Sequence, residues 1–538
     1  MCMNDRMARW LMWMLVRCLA AALCIVKPPL VANAGGESGQ TNALVGSVPG
    51  IEDWFGAEVI YAEGPFGPAP YDDPESVLGM PATEFYDPLA ELWGGAPVRR
   101  VKLVEGACYT DATRTQKLVT TFGDGASVVI RLGRAARDDP AHPYGIDFIV
   151  FGNAFFPTIG FADDNSDLNA LMFAGGCFCE PLKVSVSPGY VGRPGQNATD
   201  WRTWDWYTYE NGPYADCAFP TQAYWWDRTN RVWSDRPMDF LKPVNPVLGD
   251  FFESASAFGF SVADAIALYD GSGGGTGFDL KETGFDEIRY VKIEGGAGML
   301  GGEIDAVAAV RPMELGDSLT IAPANVGKEA AKLVFLKNDG SGETAVTIEM
   351  KFVDVVARVS AAPLEDLPVL QSIAGEVMTA VDLAVAPIIS TGPVLFEADV
   401  TFHCDSRYSG GGDDLVLLGW AGSTWVSMDF KFDALVRAVT LKGLKELTRY
   451  LLVQVRGPRI AVARQADRVV LGFPVMAGWV HTLERTTDFR GWDVLWSARP
   501  TEAKLVMVED LMAPGTLAFY RVRVARSVEE QNRLEETK

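Results

Sequence analysis

A chain of 538 residues is too long for one hydrophobic core, and at about 100–200 residues per domain it should divide into roughly three. Its content of 48% hydrophobic and 11% aromatic residues can fill several cores and excludes global disorder. A formal charge of -23 repels phosphate backbones and anionic lipid, which excludes nucleic acid and membrane surfaces as expected partners, and it suits a secreted protein in a Ca²⁺-containing medium.

The first stretch reads as an export signal. Arg6, Arg9 and Arg17 make it positive, Cys18 to Val26 is a short apolar run, and Val31-Ala-Asn-Ala34 puts small residues where a signal peptidase reads them. Residues 1–34 are therefore expected to be a signal peptide and residues 35–53 a flexible lead. The apolar run falls short of the ~20 residues a membrane span needs. The expected location is secreted or cell surface, with no membrane span.

Of the 8 cysteines, Cys2, Cys18 and Cys24 fall in the signal. In an exported protein, Cys108, Cys177, Cys179 and Cys217 suffice for two disulfides. Cys177 and Cys179 would point to opposite faces of a strand and so bond different partners. Cys404 is left as a buried thiol. A zinc site is disfavoured because the chain has no C-x-x-C pair and only 3 His.

Residues 54–313 carry short alternating or buried apolar runs: Ala57–Ala62, Leu118–Phe122, Ala126–Leu132, Asp147–Phe151 and Leu182–Ser187. One helix is expected, over Val262 to Tyr269, and no βαβ rhythm is present, so the domain is all-β. Ile288–Ile293 and Asp305–Val310, separated by glycines, predict a closing hairpin. Residues 314–456 repeat the pattern in Val346–Phe352, Val394–Phe402, Asp414–Trp420, Trp425–Met428 and Val436–Leu441. Arg456-Gly-Pro-Arg459 breaks it, residues 460–527 form a third, smaller unit, and 528–538 are a charged tail. The fold class is all-β: multi-domain β-sandwiches, an N-terminal jelly roll with a long aromatic insertion, then two smaller sandwich modules.

That insertion, between residues 188 and 262, is dense in aromatic residues. Trp201, Trp204, Trp206, Tyr207, Trp225 and Trp226 are the candidate ligand-binding set, since flat rings stack on sugars. The alternative is a satellite core beneath a long loop. Asp163-Asp-Asn-Ser-Asp167 begins like an EF-hand loop but has Leu168 where glycine is needed and Ala174 where glutamate is needed, so a helix N-cap at Asn165 or Asp167, before Leu168-Asn-Ala-Leu171, is expected instead. His142, His403 and His481 lie in three separate regions, and no phosphate loop or H-E-x-x-H is present. No enzyme is expected, although paired carboxylates acting on a polysaccharide leave no sequence signature.

Ser76-Val-Leu-Gly79, Ile146–Phe151, Lys183–Ser187, Gly277-Phe-Asp-Leu280, Tyr290–Ile293 and Ile304-Asp-Ala-Val307 together resemble an uncharacterised family of exported cell-surface proteins of planctomycetes and verrucomicrobia, with Gly152-Asn153 departing from its usual acidic and amide pair. Thr482–Phe489, Gly491-Trp492 and Phe519–Arg523 resemble a C-terminal fibronectin-type-III-like repeat. The resemblance implies a jelly roll like those of galactose-binding modules, with no established reaction. In related jelly rolls the aspartate at the position of Asp305 meets acidic residues near the first strand around a structural Ca²⁺, and the partners here would be Glu58, Glu63, Asp72 or Asp73. Against this, Asp305 could cap a turn or pair with Arg289. The function expected is a non-enzymatic exported protein that binds polysaccharide or another cell-surface polymer. The rival reading is a structural spacer.

Overall fold

The computed structural model describes residues 50–525, apart from 297–300, 365–374, 413, 423–424, 456–459, 465–467, 476–478, 488–491, 502–503 and 512–517. The expected signal, the 456–459 linker and the charged tail lie outside the described residues, as do most of the flexible lead and part of the 482–492 signature.

The chain is all-β. In the first unit a five-stranded sheet runs in the order Gly56–Glu63, Ser127–Arg137, Glu287–Glu294, Lys183–Ser187, Tyr207–Thr208. A four-stranded sheet runs Thr276–Phe278, Phe148–Gly152, Gly302–Ala309, Thr120–Phe122. All these pairings are antiparallel. Val128, Ile130, Val184, Val186, Val291 and Ile293 of one sheet close on Phe148, Val150, Phe278, Ile304 and Val307 of the other. Alternation places these residues inward with period two.

The closing hairpin is not formed. Glu287–Glu294 and Gly302–Ala309 lie in different sheets and do not pair with each other. Their burial explains the split: the first strand alternates, whereas the second is buried on nearly every residue, because cover lies over both its faces. The predicted helix is present as Val262–Leu268, with Ser261 Oγ accepting the Asp264 N–H at 3.0 Å.

The second unit is also a sandwich. Its six-stranded sheet is ordered Ser318–Ile321, Ala357–Pro363, Gly375–Pro387, Arg449–Val455, Leu415–Trp420, Trp425–Met428, and its five-stranded sheet Lys332–Leu336, Thr344–Val353, Phe396–His403, Ala438–Leu444, Lys431–Asp433. The third unit pairs Ala461–Arg464, Val469–Val475 and Lys504–Asp510 in one sheet and Asp493–Ala498, Val480–Thr486 and Phe519–Ala525 in another, over a core of Leu471, Phe473 and Leu483.

The first two units are joined by buried polar contacts as well as chain. Asp270 lies 3.2 Å from Lys242 Nζ, accepts the Ser318 hydroxyl at 3.0 Å and also pairs with Arg358. Asn245 and Asn325 exchange side-chain amide hydrogen bonds of 2.7 and 3.1 Å. Buried polar groups satisfied across a junction specify its geometry, because separating them would strand each one.

Candidate functional site

Two adjoining cavities open where strand Phe148–Gly152 leaves the four-stranded sheet. One, about 440 Å³, is bounded by Phe85, Asp87, Trp93, Arg99, Tyr109 and Asp164. The other, about 340 Å³, is bounded by Gly106, Cys108, Asn153, Phe155, Phe178 and Glu303. Glu105 and Phe161 wall both, so the two make one groove.

Local sequence builds the groove's upper wall. Glu84–Tyr86 pairs with Val98–Arg100, and the intervening Pro88–Leu92 is a single helical turn. Asp87 caps it, its Oδ1 accepting the Leu89 and Ala90 N–H groups at 2.8 and 3.2 Å, and Pro88 occupies the first helical position, where no N–H is required. The turn ends at Trp93 and Gly94, the glycine taking φ +76°. Trp93 is left 71% exposed at the rim, and Phe161, on the same cavity wall, is 74% exposed.

Beneath the rim the charges are buried and paired. Arg99, only 6% exposed, meets Glu105 at 2.8 Å and Asp87 at 3.4 Å and donates to Ala162 O at 3.0 Å. Its Nε is buried without a hydrogen-bond partner. Lys102, fully buried, meets Asp164 at 2.9 Å and also pairs with Glu105. Asp164 in turn accepts the Arg100 N–H at 3.0 Å, so the 163–167 segment is clamped to the hairpin. That segment is a turn and not the expected helix N-cap, since no helix follows it: Asp163 Oδ1 accepts from Asn165 N and Ser166 Oγ, and Asp167 Oδ1 from Asn169 N. Gly106 is required where it sits, since a Cβ there would lie 2.4 Å from Asn153 O.

At the inner end, Glu180, Asp216 and Glu303 bring ligand oxygens within 4.8 Å of one another. Asp216 is buried, accepting the Ala154 and Glu303 N–H groups at 2.8 Å each. Burial, and then the charge of Glu303, push its carboxyl up to about 8. Gly152 makes room for it, because a Cβ would meet Asp216 Oδ1 at 2.3 Å. Gly152 is thus where Asp216 packs. The trio has the donor chemistry of a Ca²⁺ site, hard oxygens, with two of them already engaged by backbone N–H groups.

The sequence-predicted metal residues are placed apart. Asp305 is buried at a bulge and its Oδ2 accepts the Ala82 N–H at 2.8 Å. Burial raises its carboxyl to about 8. Glu58 pairs with Arg131 at 2.8 Å, Asp72 pairs with Lys117 at 2.7 Å, Asp73 caps the turn Pro74–Val77, and Glu63 is exposed at a strand end. Arg289 pairs with Glu287 rather than with Asp305.

The sequence-predicted aromatic set divides in two. Tyr207 belongs to the edge strand of the five-stranded sheet, and Trp201, Trp204 and Trp206 pack against that sheet: Trp204 stands 4.5 Å from Tyr290 and Trp201 4.9 Å from Tyr61, with Trp201 and Trp206 edge-on at 85°. Their indole N–H groups are used internally, Trp204 on Asn197 O and Trp206 on Trp201 O. Trp225 and Trp226 belong to a separate apolar cluster with Phe156, Phe173, Phe252 and Tyr269. The satellite core weighed as the alternative therefore exists beneath Trp225 and Trp226.

The expected bridges among Cys108, Cys177, Cys179 and Cys217 are not formed in the structure. Cys108 Sγ donates to Gly106 O at 3.3 Å and Cys177 Sγ to Phe155 O at 3.8 Å. Cys404 is a buried thiol, pushed up to about 11 by burial. Sequence reasoning missed the groove. Its one legible signal was Leu92-Trp93-Gly-Gly95, a bulky apolar pair set beside two glycines where a core strand has no use for them.

Compared with known protein families, curated proteins and solved structures, the chain matches none. Among the described residues no helix is long and apolar enough to cross a membrane.

Proposed function

We propose that this chain is an exported, non-enzymatic protein that holds a glycan or another surface polymer in the groove of its first sandwich. The observation that carries the reading is the rim: Trp93 and Phe161 stand 71% and 74% exposed over cavities whose floor is aromatic and charged. Open ring faces beside hydrogen-bonding groups are what a sugar needs, its C–H face stacking and its hydroxyls bonding. The signal-like residues 1–34 and the resemblance to exported cell-surface proteins support the location. A structural Ca²⁺ belongs to the proposal at Glu180, Asp216 and Glu303, where it would favour the ionised form of Asp216. The test is retention on insoluble polysaccharides of the wild type and of Trp93→Ala and Phe161→Ala. Wild-type retention lost in both variants supports the groove. Equal retention in all three, or none in the wild type, sinks it. The spacer reading is favoured by the Asp270 junction, which fixes one sandwich on the next.

A further inference from the structure

A third cavity, about 310 Å³, shares no residue with the groove. It is walled by Trp54, Arg134, Arg137, Asp139, His142 and Arg289. Three arginines against one aspartate is an unusual lining in a chain of net charge -23.

The strand ladder explains how they gather. Ile288 pairs with Ala136 and Tyr290 with Arg131, so four residues of one strand, 132–135, stand opposite Arg289 alone. Such a bulge turns side chains out of the pleat and toward one another. Asp139 is engaged, its Oδ1 accepting the Ala141 N–H at 2.8 Å, and the His142 ring is fixed by Asp147 at 2.7 Å. Glu287, beside the cavity, is shared between Arg137 at 3.4 Å and Arg289 at 3.1 Å. The Arg134 guanidinium lies 3.9 Å over the Trp54 ring and has no carboxylate partner among the described residues. Stacking holds a guanidinium by its face and leaves its N–H edge for an acceptor.

We propose that this pocket binds an oxyanion, the sulfate, phosphate or carboxylate group of a small molecule or polymer, with Arg134 and Arg289 as its principal donors. The inference stands independently of the groove reading. Arginine suits the task because its planar fork bonds two oxygens at once.

The test is calorimetric titration of the full chain with sodium sulfate, phosphate and acetate at constant ionic strength, so that screening is equal in each arm. Saturable binding of at least one anion is expected, weakened about tenfold or more by Arg134→Gln and by Arg289→Gln, as for the loss of a charge-assisted hydrogen bond. The preferred anion identifies the group. Trp93→Ala should leave this binding unchanged. The melting midpoint of each variant without anion checks its fold, and either variant alone suffices. Absence of saturable binding in all three arms, or wild-type affinity in a folded variant, overturns the proposal.

Discussion

Two aromatic regions of the first sandwich invite comparison. Residues 201–233 hold most of its tryptophans, yet their rings meet edge-on, spend indole N–H groups on nearby carbonyls and cover a sheet or fill a second core. The groove rim has only Trp93 and Phe161, and both stand open to water. Aromatic density therefore marks where a long insertion must bury surface of its own, whereas Trp93 and Phe161, set singly beside a charged floor, are left uncovered by the fold, which is why the proposed binding face is placed there.

The largest effect is expected at Trp226, which is 6% exposed and donates its Nε1–H to Asn169 Oδ1 at 2.8 Å. Trp226→Ala should cost about 3–5 kcal/mol in a denaturant melt, the usual range for a buried aromatic. A loss below about 1 kcal/mol would mean that this ring is not core.

The next effect concerns buried acids. Asp305 and Asp216 have carboxyls raised to about 8, from near 4 in the unfolded chain. The native state thus keeps protons that the unfolded state has lost. Their stabilisation is fully present below pH about 4 and is lost as pH rises through about 8, with a slope near 1.4 kcal/mol per pH unit for each proton. Denaturant melts at pH 5, 6.5 and 8 should show stability falling, and Asp305→Asn should remove about one proton's share of that fall. An unchanged slope in the variant would show that Asp305 is ionised in the fold.

Smaller effects separate the two halves of the 201–233 stretch. Trp201, half-buried against Tyr61 and Trp206, should cost about 1–2 kcal/mol on truncation to alanine, in keeping with its partial burial. At the rim, Trp93→Ala should change stability by no more than about 0.5 kcal/mol while weakening polymer retention about tenfold or more. Destabilisation by several kcal/mol would instead make Trp93 a packing residue and erase the contrast.

Much of the fold was legible because period-two alternation reports burial directly. Val184 and Val186, or Val346 and Ile348, lie inward wherever their strands pair. The long strand Gly375–Pro387 was readable in the same way only through Thr379, Val381 and Leu383, since a bulge between Val377 and Thr379 buries Met378 and breaks the alternation, and it went unread because Ala and Gly beside it lower strand preference. The closing hairpin failed for a different reason: turn glycines show that the chain reverses, not which sheet receives the next strand. Only packing decides that.

The same limit governed the sites. Asp305, Glu58 and Asp72 are acidic and local in sequence to the expected strands, yet each found another partner. Glu180, Asp216 and Glu303, up to 123 residues apart by number, converge because Gly152 lets Asp216 approach and the Leu182–Ala215 bridge draws the insertion to the sheet end. Sequence by itself determined the all-β class and the helix at 262, since these follow from local periodicity and capping. Tertiary structure decided the groove, the arginine pocket and the exposure of the tryptophans among the described residues, since these depend on which distant segments share an edge, and spacing along the chain carries no information about that.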